Sequence, residues 1–164
     1  QAVAPAPVYL LNTAMQQVVR RGTAATLSRY LRADLGVAGK TGTTDDMRDS
    51  WFAGFTGDKV AVVWVGRDDN KPAGFSGATG ALTVWGEMMR DVASRPLQLT
   101  RPANIVSAWI DSFSGQRTDS DCEAGVQLPF IEGSVPGAYV SCHRDTATGN
   151  PVEQTIDWIK GIFR

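Results

Sequence analysis

The sequence lacks an apolar run approaching the roughly 18 residues needed to span a membrane, and it shows no signal-peptide pattern. It also lacks a basic excess: its 164 residues include 16 Lys and Arg against 17 Asp and Glu, a formal net charge of −1 at pH 7. Binding to nucleic acid depends on a basic surface that neutralises phosphates. We therefore expect no nucleic acid among the partners.

Histidine and cysteine are also scarce. The sequence has one histidine, His143, and two cysteines, Cys122 and Cys142. A Ser-His-Asp arrangement would have to use His143, which lies in a turn-rich segment that gives no support to a catalytic role. The three residues supply only three ligand atoms and do not have zinc-finger spacing. We therefore expect neither a metal ion nor another cofactor.

Apolar residues make up 43% of the chain, enough for a buried core, and their spacing predicts three helical segments before residue 95. The first begins at Pro7 and ends at Gly22, and a short helical stretch covers residues 24–32. The third, over residues 79–92, carries an apolar stripe of Leu82, Trp85, Met88, Met89 and Val92. Because such a stripe needs a partner surface, we expect Trp85, Met88 and Val92 to lie against a sheet.

That sheet is predicted from Gly, Thr and β-branched residues between the helices. Residues 51–56 and 59–67 have strand patterns and are joined by a short turn at Thr56-Gly57-Asp58. Since Val60 to Val65 is apolar throughout, we expect this strand to be buried on both faces. Residues 40–44 are expected to form an exposed edge strand, antiparallel to residues 51–56.

The sequence changes character beyond Pro96, and we interpret residues 96–164 as a small appended β-rich module. Strand-like pieces cover residues 105–113, 127–131 and 138–140. A terminal helix is predicted over residues 152–163, with an apolar face that could dock on this module or on a partner. The fold class expected is α/β (α+β): an antiparallel sheet with packed helices over residues 1–95, followed by the module.

The densest chemical signal is the run Gly39-Lys40-Thr41-Gly42-Thr43-Thr44. A phosphate-binding loop would need a glycine five positions before Gly39, where the sequence has Asp34, and the following residues begin a helix poorly. The alternative is the Lys-Thr-Gly strand of penicillin-recognising serine acyltransferases. On an edge strand, glycine lets a substrate backbone lie close by, while Thr hydroxyls and Lys hold a carboxylate.

Longer stretches extend this second interpretation. Residues 37–69, with Asp49-Ser50-Trp51-Phe52-Ala53-Gly54-Phe55 and Val63-Trp64-Val65-Gly66-Arg67-Asp68, closely resemble the transpeptidase domains of class A penicillin-binding proteins. The Gly22-Thr23-Ala24 segment before the strand resembles the same family, and Gly77-Ala78-Thr79-Gly80-Ala81 after it resembles the 1b type. The resemblance implies the C-terminal part of a penicillin-binding protein or serine β-lactamase-like transpeptidase fold.

The resemblance assigns roles residue by residue. Lys40 and Thr43 would be catalytic. Lys40 would position and polarise the site by donating to the substrate carboxylate and to the motif hydroxyls, and the N–H of Thr43 would be one of two oxyanion-hole donors. Thr41 and Thr43 would bind the terminal carboxylate of a D-Ala-D-Ala stem peptide or of a β-lactam. Gly42 would keep the strand open to the ligand, and Thr44 would complete the substrate-binding run.

The family also needs a Ser-x-x-Lys nucleophile and a Ser-x-Asn motif, and this sequence contains neither. Both precede the Lys-Thr-Gly strand in the family's chain order. The resemblance therefore implies an upstream transpeptidase segment as partner, without which this chain would be inactive. The alternative is a catalytically inert processed fragment, or a protein-interaction module of a cell-wall synthase.

Location and further partners follow only from the resemblance. It implies the periplasmic side of the bacterial inner membrane, with anchoring through an N-terminal segment absent from this chain. Peptidoglycan stem peptides, β-lactams and outer-membrane or divisome regulators would be the partners, with glycan polymerisation in a separate N-terminal domain. In a periplasmic protein of this family, Cys122 and Cys142 would be expected to form a disulfide.

Overall fold

A computed structural model of the chain describes residues 3–142, which divide into two compact units. One unit comprises Leu11–Thr100, and the other comprises residues 3–10 and 101–142. The functional division into residues 1–95 and 96–164 stays a prediction, because compactness alone assigns no function to either unit. Among the described residues, no helix is both long enough and apolar enough to cross a membrane.

The first helix, α1, spans Pro5–Arg21 and so begins two residues before the expected start. It ends where the sequence predicts, at Gly22. A Cβ on Gly22 would lie 2.9 Å from the Cα of Val18, and the N–H groups of Gly22 and Ala24 both donate to the carbonyl of Val18. Glycine is therefore required for the tight turn that ends α1.

The helical stretch predicted over residues 24–32 is wrong in type and length. The chain forms two 3₁₀ turns instead, Ala25–Arg29 and Ala33–Leu35. Neither turn has a side-chain hydrogen bond at its N-cap, because Ala24 has no polar side chain and Arg32 makes no cap bond. Without a capping side chain, the first backbone N–H groups of a longer helix would lack hydrogen-bond acceptors.

The sheet has the strand order that the sequence predicts. Strands β1 (Ala38–Thr43), β2 (Ser50–Phe55) and β3 (Val60–Val65) are antiparallel neighbours in the order β1-β2-β3. Thr41 is opposite Phe52, and Phe52 is opposite Val63. Strand β1 therefore lies at an edge of the sheet, as the sequence predicts.

Helix α2 (Ala81–Val92) covers one face of this sheet. The rings of Phe52 and Trp85 meet edge to face with centroids 5.0 Å apart, and both residues are fully buried. The indole N–H of Trp85 donates to the carbonyl of Ala61 at 3.0 Å, so the buried ring has its polar group satisfied. The core is completed by Ala24, Leu27, Leu31, Leu35, Val37, Ala81, Leu82 and Met89.

The expectation that Met88 and Val92 lie against the sheet is wrong, whereas that for Trp85 is confirmed. Met88 and Val92 are 41% and 45% exposed. A Cβ on Gly86 would lie 2.8 Å from the ring of Tyr30, so this glycine lets the first 3₁₀ turn approach α2 closely. Gly86 therefore lies on the buried face of α2. Met88, two residues further on, lies on the opposite side of the helix, and Val92 is its last residue.

The expectation that β3 is buried on both faces is also wrong. Val60, Val62 and Trp64 are 78%, 61% and 45% exposed, while the residues between them are half-buried. In this unit α2 packs on one face of the sheet only. The side chains of β3 that point to the opposite face therefore have no helix packed against them. Trp64 packs instead against Trp51 of β2, with ring centroids 6.2 Å apart.

The other unit is built on a two-stranded antiparallel sheet, β4 (Ile105–Asp111) and β5 (Gly125–Ile131). Its Cys122 and Cys142 sulfurs are bonded at 2.09 Å. The strand predicted over residues 138–140 is wrong: the segment makes only an isolated bridge between Arg117 and Tyr139. Pro136, which has no N–H, and the adjacent glycine precede it and do not extend a ladder.

The predicted terminal helix over residues 152–163 lies outside the described residues, as does His143.

Candidate functional site

Strand β1 presents its polar side chains on two different faces. Because side chains alternate along a strand, Thr41 and Thr43 share the face of their cross-strand partners Phe52 and Ser50. Thr41 is buried at 9% exposure, and Thr43 is exposed. Lys40 is exposed on the opposite face. Lys40, Thr41 and Thr43 therefore lie on one strand, with the two hydroxyls on one face. The ammonium of Lys40 donates to the carbonyl of Thr41 and not to these hydroxyls.

The backbone of β1 directs some polar groups away from β2. The N–H of Thr44, the residue after β1, donates to the carbonyl of Asp49 at 3.1 Å, so the backbone N–H of Thr44 points toward β2. Successive residues of a strand alternate in this respect, so the N–H and C=O groups of Thr41 and Thr43 point to the outer edge. Within the described part of the chain, no strand pairs with that edge. It therefore offers the Thr43 N–H as a donor to a ligand.

Each of the two threonine hydroxyls has one hydrogen-bond partner. The Oγ1 atoms of Thr41 and Thr23 are 2.7 Å apart, and either can be the donor. The N–H of Gly77 donates to Oγ1 of Thr43 at 2.8 Å. A hydroxyl has one proton and two acceptor lone pairs, so each still has hydrogen-bonding capacity for a ligand.

Gly77 reaches Thr43 only because it has no side chain. A Cβ at this position would lie 2.6 Å from the carbonyl oxygen of Gly42 and 2.7 Å from that of Trp51. Real Cβ atoms do not approach backbone atoms so closely. The segment before α2 is therefore pressed against the backbones of β1 and β2, which places the Gly77 N–H beside Thr43.

Ser50, which is fully buried and lies opposite Thr43, binds the segment before α2 to the sheet through its side chain. Its Oγ donates to the carbonyl of Ser76 at 2.7 Å and accepts the N–H of Ala81, the first residue of α2, at 2.8 Å. The loop after β1 also contacts this connection: the carbonyl of Met47 accepts hydrogen bonds from the N–H groups of Ala73 and Gly74. The connection between β3 and α2 is therefore held against the end of β1.

The remaining predicted residues have intramolecular partners of their own. Nζ of Lys40 donates to the carbonyl of Thr41 at 2.8 Å. Oγ1 of Thr44 donates to the Asp49 carboxylate at 3.2 Å and accepts the Asp49 N–H at 2.8 Å, closing the loop between β1 and β2. A Cβ on Gly42 would lie 3.2 Å from the Cβ of Trp51, so glycine keeps this part of the strand uncrowded.

The loop that follows β3 contains an ion pair. Arg67 donates through two nitrogens to the two carboxylate oxygens of Asp69, at 2.9 and 2.8 Å. This guanidinium lowers the pKa of Asp69 to about 2, so the carboxylate is ionised at neutral pH. The pair is exposed and joins residues two positions apart in this loop.

A second group of potential ligands lies in the other unit, where Asp119, Asp121, Cys122 and Cys142 converge. The two sulfurs are bonded to each other, and the Asp119 carboxylate accepts a hydrogen bond from the Tyr139 hydroxyl. Of these four residues, Asp121 is the one that has neither a covalent bond to another member nor a side-chain hydrogen bond of the kind that Tyr139 makes with Asp119. The donor set is not that of a metal site.

Sequence reasoning missed three contributors to the site: Thr23, Ser50 and Gly77. Thr23 and Gly77 fall within segments that resemble the class A family, but neither segment carries a spacing that points to a partner on β1. Thr23 lies 18 residues before Thr41, and Gly77 lies 34 residues after Thr43. Only the path of the chain brings them together.

Known proteins resemble the chain over most of its length. No family model matches the chain. It is 39% identical to penicillin-binding protein 1B of Vibrio cholerae over 99% of its length, and 35% identical to penicillin-binding protein 1B of Escherichia coli K12 over 94%. The chain spans only 20% and 18% of those two relatives, about a fifth of their length.

A solved structure is similar to the chain in its fold. The crystal structure of penicillin-binding protein 1A from Haemophilus influenzae matches with a TM-score of 0.73 and 26% identity, over 84% of this chain and 22% of that one. The mixed α/β arrangement of helices and small antiparallel sheets thus corresponds to part of that protein. The chain is therefore homologous to a part of the class A penicillin-binding proteins, a family that acts in peptidoglycan synthesis.

Proposed function

We propose that this chain forms the carboxylate-binding side of a peptidoglycan D,D-transpeptidase site. The observation that carries the proposal is the pair of hydroxyls of Thr41 and Thr43 on one face of an edge strand, with the Thr43 N–H at its open edge. In this proposal the chain is the C-terminal part of a serine β-lactamase-like transpeptidase fold, consistent with its partial match to the relatives.

The ligand would bind as an added strand along β1. A stem peptide ending in D-Ala-D-Ala, or a β-lactam, would lie beside the outer edge, with its carboxylate near the hydroxyls of Thr41 and Thr43. Hydrogen bonds to an ionised carboxylate are shorter and roughly twice as strong as neutral ones, so two hydroxyls suffice to fix the register of the ligand. Lys40, whose ammonium donates to the carbonyl of Thr41 at this edge, would supply positive charge beside the carboxylate.

The Thr43 N–H would act on the reacting carbonyl. Because it points to the open edge, it can donate to the oxygen that becomes negative when the carbonyl is attacked. Donors of this kind typically contribute about 3 kcal/mol to transition-state stabilisation. The second donor, in this proposal, is the backbone N–H of the nucleophilic serine.

The nucleophile would come from an upstream transpeptidase segment that carries Ser-x-x-Lys and Ser-x-Asn motifs. Its serine oxygen forms an ester with the penultimate D-Ala carbonyl, and the terminal D-Ala leaves with the proton on its amine. The amine of a second stem peptide then displaces the serine oxygen, which recovers a proton. With a β-lactam, the ring amide opens in the first step and the ester persists.

The family also suggests where this happens. We infer a site on the periplasmic side of the inner membrane, with the membrane anchor and a glycan-polymerising domain in other parts of the full-length protein. Outer-membrane or divisome regulators would be further partners. The second candidate function, an inert interaction module of a cell-wall synthase, is favoured by one observation: the sequence has no Ser-x-x-Lys motif.

Labelled penicillin distinguishes the two functions. The 164-residue chain is first exposed to labelled penicillin by itself, and then after it has been joined to the upstream segment of its own polypeptide. Adducts are located by mass spectrometry. We expect no adduct on the chain alone and one adduct, on the upstream serine, in the joined protein. Thr41→Val combined with Thr43→Val should slow acylation by about tenfold or more, because two charge-assisted hydrogen bonds are lost at constant shape.

An adduct on the isolated chain would contradict the assignment of the nucleophile. Unchanged acylation of the joined Val variant would contradict the carboxylate-binding role and favour the interaction module. Ser28→Val is the matched control, because Ser28 is exposed and its hydroxyl donates only to the nearby carbonyl of Ala25. That variant should be acylated at the unaltered rate.

A further inference from the structure

The hydroxyls of Thr41 and Thr43 are each held by a group from another part of the chain, and the two partners differ in kind. Thr43 has a backbone N–H, from Gly77, at 2.8 Å. Thr41 has a side-chain hydroxyl, from Thr23, at 2.7 Å. The direction of these two hydrogen bonds determines whether each threonine proton is available to a ligand.

For Thr43 the direction is fixed by chemistry. An N–H group can only donate, so Oγ1 of Thr43 must accept from Gly77. Its own proton is then not used in this contact and can be given to an anion. Gly77 therefore makes Thr43 a donor toward the ligand side.

For Thr41 the direction depends on Thr23. Thr41 is buried, so a hydroxyl proton of its own that points at Thr23 would be withheld from a ligand. If Thr41 donates to a carboxylate, its only proton is used, and the 2.7 Å contact persists only with Thr23 as donor. Thr23 can take that role because its hydroxyl rotates freely about its C–O bond.

We propose that Thr23 is a positioning residue that acts through Thr41, donating its hydroxyl proton to Oγ1 of Thr41 so that Thr41 donates to the ligand carboxylate. This inference rests on the proposed carboxylate-binding function. The resulting chain, Thr23 O–H to Thr41 O–H to carboxylate, polarises successive bonds in one direction. Such chains strengthen each hydrogen bond by about 10–30%.

The backbone holds Thr23 in place for this role. It lies in the turn that ends α1, where the N–H groups of Gly22 and Ala24 both donate to the carbonyl of Val18. The next residues are anchored in the core, since Ala24 and Leu27 are 0% and 1% exposed. The Thr23 hydroxyl is therefore presented to β1 by a fixed turn rather than by a flexible loop.

The test is the acylation rate of the joined protein by a penicillin with a free carboxylate. We expect Thr23→Val to slow acylation by about three- to tenfold, the effect of one lost hydrogen bond, and Thr23→Ser to restore the rate. The variant with both Thr23→Val and Thr41→Val should be no slower than Thr41→Val alone, because Thr23 acts only through Thr41. With the methyl ester of the same penicillin, Thr23→Val should change the rate by less than about twofold.

The outcomes separate this inference from the proposed function. If Thr41→Val slows acylation but Thr23→Val does not, the positioning role is overturned and carboxylate binding stands. If the two effects multiply in the double variant, Thr23 acts independently of Thr41, which also overturns the inference. If Thr41→Val itself has no effect, the proposed function fails. Equal melting temperatures of Thr23→Val and Thr23→Ser exclude a loss of rate caused by unfolding.

Discussion

The buried hydroxyl of Ser50 accepts the N–H of Ala81, the residue at which α2 begins, while donating to the carbonyl of Ser76. One side chain of β2 thus satisfies a free N–H at the start of a helix and a carbonyl in the preceding loop. Gly77 lies between these two attachment points. The position of its N–H beside Thr43 therefore depends on Ser50.

Ser50→Ala is expected to destabilise the chain. The substitution leaves the buried N–H of Ala81 without a partner, whereas the carbonyl of Ser76 still accepts the N–H groups of Thr79 and Gly80. One unsatisfied buried group costs about 1–3 kcal/mol, so we expect the free energy of unfolding to fall by about 2 kcal/mol. The measurement is chemical denaturation followed by tryptophan fluorescence.

Ser28→Ala is the matched control for this prediction. Its hydroxyl is exposed and bonds only to the carbonyl of Ala25, so the change should stay within about 0.5 kcal/mol. Equal stability of the Ser50→Ala and Ser28→Ala variants would show that α2 and its preceding loop are held by other contacts.

Gly77→Ala is expected to affect both stability and acylation. The added Cβ would meet the carbonyl oxygens of Gly42 and Trp51 at 2.6 and 2.7 Å, so the segment must move away from β1. Overpacking of this kind costs about 1–3 kcal/mol, and Thr43 loses its fixed donor. We expect a lower melting temperature and, in the joined protein, slower acylation by penicillin.

Gly137→Ala provides the comparison, because a Cβ at that position would have no atom within 4 Å. It should leave both the melting temperature and the acylation rate unchanged. If Gly77→Ala behaved in the same way as Gly137→Ala, the close approach of Gly77 to β1 would be refuted.

Asp58 makes the stability of the β2–β3 turn dependent on pH. The Lys59 ammonium at 2.9 Å is the main cause that lowers the pKa of Asp58 below its ordinary value of 3.8, together with Ser94 and the N–H of Arg95. A carboxyl with a lowered pKa stabilises the folded state above its unfolded pKa, and the contribution is lost as the pH falls through the folded value. The stabilisation should therefore be complete at pH 6, begin to fall below about pH 4, and be lost only as the pH drops through the lowered pKa of the folded state.

Melting temperatures of the unmodified chain and of Asp58→Asn between pH 7 and pH 2 test this expectation. The difference between the two should be largest near neutral pH and should shrink as the pH drops below about 4. Because other carboxyls titrate in both proteins, the difference isolates Asp58. A difference that grew toward low pH would contradict the sign of the pKa shift.

The sequence was a good guide wherever local chemistry dictates the structure. A glycine- and threonine-rich run followed by two apolar segments around Thr56-Gly57-Asp58 predicted the three-stranded order, and Gly22 predicted the end of α1. It was a poor guide where the path of the chain decides. The contacts of Thr23 with Thr41 and of Gly77 with Thr43 join residues 18 and 34 positions apart, and no periodicity records them.

The error on β3 has a different origin. A strand with one buried face normally alternates apolar and polar residues, and the alternation tells which face is which. Residues 60–65 are all apolar, so the pattern carries no such information. The structure assigns the faces: Val63 packs against the core, and Val62 points outward with 61% of its surface exposed.

This assignment predicts opposite results for two neighbouring substitutions. Val63→Asn would place an amide against the core without a hydrogen-bond partner, and we expect the free energy of unfolding to fall by about 2–4 kcal/mol. Val62→Asn changes a side chain that is already in solvent, so its effect should be about 0.5 kcal/mol, chiefly from lower strand propensity. Both are measured by urea denaturation of the 164-residue chain.

The ratio of the two effects is the informative quantity, because residue type, strand and size change are identical. A large loss for Val62→Asn, equal to that for Val63→Asn, would mean that both faces of β3 are covered in the folded chain, as the unbroken apolar run first indicated. A loss for Val63→Asn alone fixes which face of β3 meets the core. Phe52 is opposite Val63 and Thr41 is opposite Phe52, so both of these side chains share that face of the sheet.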